Sequence, residues 1–83
     1  MIISQKVSVI LSFNHLNGQI MPRKVLWDNR EYKISRLTYH HKIKEGNQLF
    51  HIFHVTDGTI DFCLKLNTEN LHWMLEEIYD DKS

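Results

Sequence analysis

Apolar and polar residues alternate along much of this chain with a period of two, the signature of half-buried strands. Across residues 6–14, Val7, Val9, Leu11 and Phe13 fall on one face and Ser8, Ile10 and Ser12 on the other. Asn17 and Gly18 then mark a turn. Pro22 has no N–H to give to a ladder, so it is expected to open the next strand, residues 23–27. Asp28 and Asn29 close a hairpin whose return strand covers 30–34. A two-residue loop there sets Trp27 opposite Arg30, Val25 opposite Tyr32 and Lys24 opposite Lys33. Tyr32 and Ile34 share a phase that Leu37 and Tyr39 reverse, which calls for a bulge or bend near Ser35 and Arg36.

Beyond Lys42 and Lys44, the run Glu45, Gly46, Asn47 reads as another turn, followed by a strand over 48–56. Asp57 and Gly58, flanked by alternating apolar residues, carry the sequence signature of a two-residue type I′ turn, which needs positive φ at both central positions. That loop would place Val55 opposite Ile60, Phe53 opposite Phe62, His51 opposite Leu64 and Leu49 opposite Leu66, forming the core face. The other face would pair His54 with Asp61, Ile52 with Cys63 and Phe50 with Lys65. This mixture is too apolar for plain solvent exposure, so both faces are expected to be partly covered, by curling of the sheet or by self-association.

The segment 71–79 fits two periods. Leu71, Met74, Leu75 and Ile78 form a helical stripe, while Leu71, Trp73 and Leu75 also alternate as in a strand. Thr68 could cap a helix, but Asp80 and Asp81 would then sit at the negative end of its dipole. Trp27, Arg30 and Tyr32 (W-x-x-R-x-Y), followed by an aromatic hairpin and then by Trp73, Leu75, Tyr79 and Asp80, resemble a group of small uncharacterised prokaryotic all-β domains. The resemblance implies that the W-x-L segment is a closing strand, and it brings no catalytic residues with it. The expected fold is therefore all-β: a single domain over 1–83, five to six mostly antiparallel strands in a strongly bent meander or half-barrel. The alternative is an α+β fold with a C-terminal helix at about 68–79.

Composition narrows the function classes. At 83 residues and 42% hydrophobic, the chain has the apolar content to fold as one small domain and no room for two. Its single cysteine, Cys63, can form neither an intramolecular disulfide nor a multi-cysteine zinc cluster, which points to a reducing, cytoplasmic setting. Neither a signal peptide nor a membrane span is evident, since Ser4, Gln5, Lys6, Ser8 and Ser12 interrupt the N-terminal apolar residues. Net charge is zero but segregated: residues 22–44 carry +5 and residues 45–83 carry −6. The two halves either neutralise each other across strands or present a basic face to an anionic partner.

Candidate chemistry is sparse. Arg23, Lys24, Trp27, Arg30, Tyr32, Lys33 and Arg36 combine cations and rings as single-strand nucleic-acid platforms do, although a core tryptophan edged by Arg30 would look the same. Six histidines raise the question of a metal, and His41 with His54 and Asp61 is the set that a hairpin brings nearest. A surface His54–Asp61 pair is the simpler reading. Cys63 near His54 suggests a thiol–imidazole pairing, but a mid-strand cysteine has no oxyanion hole, and an inert half-buried thiol is expected. The three glycines all fall in turns, so no phosphate-cradling loop exists. These features point to a non-catalytic binding or protein-interaction module without a cofactor, with self-association as one mode. A nucleic-acid-binding module using segment 22–44 is the alternative.

Overall fold

A computed structural model describes residues 1–80 of the chain. Asp81 and Lys82, which contribute to the C-terminal charge count, lie outside the described residues. Seven antiparallel strands make one open sheet: β1 (Ile2–Asn14), β2 (Gln19–Trp27), β3 (Arg30–Lys33), β4 (Arg36–Glu45), β5 (Gln48–Thr56), β6 (Ile60–Asn67) and β7 (Trp73–Asp80). Their order in the sheet is β3-β2-β1-β7-β6-β5-β4. The all-β class holds, and no described residue is helical. Seven strands appear rather than five or six because segment 30–45 breaks at Ile34 and Ser35 into β3 and β4.

That break is a corner. Ile34 N–H donates to the Arg23 carbonyl of β2 (2.9 Å), whereas Ser35 N–H donates to the Thr56 carbonyl of β5 (2.8 Å). Two adjacent residues thus bond to opposite ends of the sheet order, and the sheet bends until Tyr32 of β3 meets Phe62 of β6 edge-on at 5.3 Å. Inside the bend lie Val25, Ile34, Phe53, Val55, Phe62, Leu64, Leu66, Trp73 and Leu75. Phe53, Phe62, Leu64 and Leu75 are fully buried. Each such side chain stabilises the fold by about 1.5–3 kcal/mol relative to leaving it exposed.

Turn chemistry sets the registers. Asp28 and Asn29 both take positive φ (53° and 62°), as a type I′ loop requires, and Trp27 faces Arg30, Val25 faces Tyr32 and Lys24 faces Lys33 as expected. Gly46 and Asn47 likewise connect the facing residues Glu45 and Gln48. The Asp57–Gly58 expectation fails. Gly58 has φ 103° but Asp57 is not in the positive region, and the Asp57 carboxylate accepts the N–H groups of Thr59 (2.8 Å) and Ile60 (2.7 Å). This holds a longer turn between the facing residues Thr56 and Asp61. Val55 therefore faces Phe62 and Phe53 faces Leu64, a shift of two positions that keeps every side chain on its expected face.

Two other boundaries differ from the pattern. Pro22 sits inside β2 rather than opening it, at a bulge where Lys24 faces Ile10 and the next pair is Leu11 with Pro22. The irregularity accommodates a residue that cannot donate. Segment 73–80 is a strand, not a helix, because Thr68 gives both its N–H and its hydroxyl to the Leu49 carbonyl instead of capping. Trp73 and Leu75 then point inward from β7. Gly58→Val is expected to destabilise by about 1–2 kcal/mol, because a β-branched residue at that φ is strained although space is open around it. Chemical denaturation checks this; an unchanged midpoint would remove the φ requirement from the loop.

Candidate functional site

Six of the seven residues that the sequence marks for binding lie on β2 and β3, and Arg36 opens β4. The register puts Lys24 and Lys33 on one face of this pair and Trp27, Arg30 and Tyr32 on the other. Glu31 relieves the facing lysines: Lys24 Nζ lies 2.9 Å from its carboxylate and holds that carboxyl below its ordinary range, through the hydrogen bond first and charge attraction second. Trp27 Nε1 donates to Gln5 Oε1 (2.8 Å), and its ring lies 6.0 Å from Tyr32, which in turn abuts Phe62. The two rings extend the core instead of standing free for base stacking. Arg23 Nε donates to Ser12 Oγ (2.8 Å), while Arg30, Lys33 and Arg36 are exposed. The structure thus joins the aromatic members and separates the cationic ones.

A different feature dominates the surface. β1 pairs with β7 only through Ile2–Val7, and with β2 only from Ser8 onward. No strand flanks the ribbon around Leu11, Phe13 and Ile20, and the core-facing phase of Val7 and Val9 runs on into it uncovered. Leu11 is 40% exposed, Phe13 65%, Leu16 at the tip 84% and Ile20, which faces Phe13, 38%. Residues 7–22 contain no Asp, Glu, Lys or Arg, in a chain where charged residues make up 24%. Alternation assigned Leu11 and Phe13 to the inward face; it could not show that the neighbouring strand ends at Val7.

Four of the six histidines fall into two groups on opposite faces of β4 and β5. On the outer face, His41 and His54 approach with ring centroids 5.8 Å apart and planes 18° from parallel, and Tyr39 stands 4.9 Å from His41. Asp61 does not join them: it faces Thr56 and Tyr79, and His54 faces Cys63. His41 Nδ1 is buried without a hydrogen-bond partner beneath these rings. No group of three or more His, Cys, Asp or Glu side chains placed to hold a metal occurs among the described residues. On the inner face, His40 Nε2 and His51 Nδ1 meet at 2.8 Å.

Cys63 is buried opposite His54, and burial first, then the charge of Glu77, raises its thiol above the ordinary range. A protonated thiol is a weak nucleophile. Around it the outer face is closed by Lys65, whose Nζ lies 4.2 Å above the Phe50 ring and contacts Glu45 (2.9 Å) and Glu76 (3.7 Å). Phe50, Ile52 and Cys63 are consequently buried on a face that also meets water, matching the expectation of two covered faces.

No helix among the described residues is long and apolar enough to cross a membrane. Comparison with protein-family models, with curated proteins and with solved structures finds no match for the chain.

The hydrogen bond from Lys65 to Glu45 raises the Lys65 pKa above 10.5 despite partial burial. Its charge-dependent contribution is therefore present below that value and is lost as pH rises through the folded-state pKa. Lys65→Ala is expected to destabilise by about 1–2 kcal/mol at neutral pH, from lost ring cover and ion pairing. The gap to wild type should narrow in melts at strongly alkaline pH; a constant gap would assign the whole effect to packing.

Proposed function

We propose that this chain is a small non-catalytic interaction module whose binding element is the β1–β2 hairpin, and that the hairpin docks on a second copy of itself. The observation that supports this is the uncovered apolar ribbon of Leu11, Phe13, Leu16 and Ile20, continuous with the core. Burying each such side chain fully is worth about 1.5–3 kcal/mol. Phe13 and Leu16 stand to gain most of that and Leu11 and Ile20, already more than half buried, only part of it, so the contact offsets the lower part of the 4–15 kcal/mol or so that association costs.

The absence of formal charge over 7–22 favours a like-with-like contact. An isologous interface sets the same patch against itself, so a patch of one charge sign would repel its copy and this one does not. The chain's zero net charge adds no overall repulsion. A nucleic-acid module is the second reading, favoured by the exposure of Arg23, Arg30, Lys33 and Arg36 along β2 to β4. It is weakened by the Lys24–Glu31 pair and by the split of cations between faces.

Sedimentation over a wide concentration range is expected to show reversible dimerisation that Phe13→Glu abolishes while leaving the melting cooperative. A monomer at all concentrations would overturn self-docking. In the same preparation, fluorescence anisotropy with an unrelated oligonucleotide is expected to show no binding at low salt. Binding that falls steeply with salt and is weakened by Lys24→Glu with Lys33→Glu would favour the nucleic-acid reading instead.

A further inference from the structure

Away from the hairpin, on the inner face of the β4–β5 pair, two metal-ligating atoms are aimed at each other. His40 faces Phe53 and His51 faces Lys42, so the two histidines are diagonal neighbours across the ladder. Their rings are not face to face. The planes differ by 19° and the centroids stand 5.0 Å apart, a separation that exceeds the 2.8 Å between Nε2 and Nδ1 by roughly the combined radii of two five-membered rings. The two nitrogens therefore lie on the line joining the rings, and one proton occupies the space between two lone-pair directions.

The geometry is held from below. His40 stacks on Phe53 with centroids 4.3 Å apart and planes 3° from parallel, and Phe53 is fully buried. His51 is half-buried and sits opposite Leu66 of β6, so no second titratable group approaches it from that strand. The charged neighbour is Lys42, directly across from His51; His41 belongs to the outer face.

We propose that His40 and His51 form a two-imidazole site for a borderline divalent transition-metal ion held between the two nitrogens, while the proton now between them moves to the other nitrogen of its own ring so that both imidazoles stay neutral. Two nitrogens bound tetrahedrally at about 2.0–2.1 Å stand about 3.3–3.4 Å apart, so the nitrogens must part by about half an ångström and each ring must swing by roughly 35° for both lone pairs to converge on one ion. Both rings tend to the neutral form that coordinates metal, since burial, and then neighbouring positive charge, lowers their proton affinity. His40 is exposed, which leaves the remaining coordination positions to water. The facing Lys42 and the ligand count of two make this a site of modest affinity and not a structural zinc centre. The His41 and His54 rings stand farther apart, with centroids 5.8 Å from each other against 5.0 Å for His40 and His51.

Isothermal titration calorimetry of the full chain with zinc chloride, and separately with nickel chloride, tests this. One ion per chain is expected, together with a rise in melting temperature. His40→Phe keeps a ring on Phe53 but removes the nitrogen, and His51→Gln removes the other ligand. Each is expected to lower affinity by about tenfold or more, the scale lost when even a supporting partner of a ligand is removed. His54→Gln is expected to bind as wild type does. Absence of binding to the wild-type chain, undiminished binding by His40→Phe and His51→Gln, or loss of binding in His54→Gln alone would overturn the assignment.

Discussion

The change of hydrogen-bond partner at Ile34 and Ser35 is the constraint on which the rest of this sheet depends. Adjacent amides reach the Arg23 carbonyl on β2 and the Thr56 carbonyl on β5, strands that stand four places apart in the sheet order. A flat sheet cannot satisfy both, and an amide left unbonded in the interior would cost about 1–3 kcal/mol. The bend therefore follows from backbone bonding as much as from apolar burial. With it come the burial of Ile34, the meeting of Tyr32 with Phe62 and the anchoring of Trp27 through Tyr32.

A sheet of this size has too little interior for its apolar side chains, and the outer face shows how the excess is handled. Phe50, Ile52 and Cys63 are covered not by a second layer but by the stem of Lys65 and by the rings of Tyr39, His41 and His54. Long side chains serve here as a thin substitute for a helix, their apolar portions lying down and their charges kept in water between Glu45 and Glu76. The two-stranded ribbon has no such cover. It lacks the lysines that could lie across it and the neighbouring strand that could carry rings.

Much of this was legible from residues alone, and the failures are local. The Asp28–Asn29 register could be read because nothing competes with a two-residue loop there, while at Glu45, Gly46 and Asn47 the turn was legible and its register was not. Asp57–Gly58 carried the strongest pattern and misled, because the Asp57 carboxylate and the Thr56 hydroxyl bind amides and carbonyls within the loop and stabilise a longer one. Period-two reasoning survived that error because the shift is even. Of the candidate binding residues, the opposition of Lys24 and Lys33 was readable, but the partial burial of Trp27 and Tyr32 depends on contacts with Gln5 and Phe62 that no local pattern contains. The same Gly46–Asn47 loop that sets His41 near His54 also sets His40 diagonal to His51. Only the stack on Phe53 makes the latter pair head-on.

Beside the unflanked edges of the β1–β2 ribbon, the sheet order ends in two margins, and these are unequal. β3 offers four residues, too few to template another strand, whereas β4 offers ten. Along β4 the ladder slips at Thr38, whose hydroxyl donates to the His54 carbonyl, and Lys42 and Lys44 punctuate the far half. An irregular, basic margin resists the strand-by-strand addition through which β proteins polymerise. Growth without limit is thereby discouraged at the long edge, and an association made through the hairpin would close after one step instead of propagating.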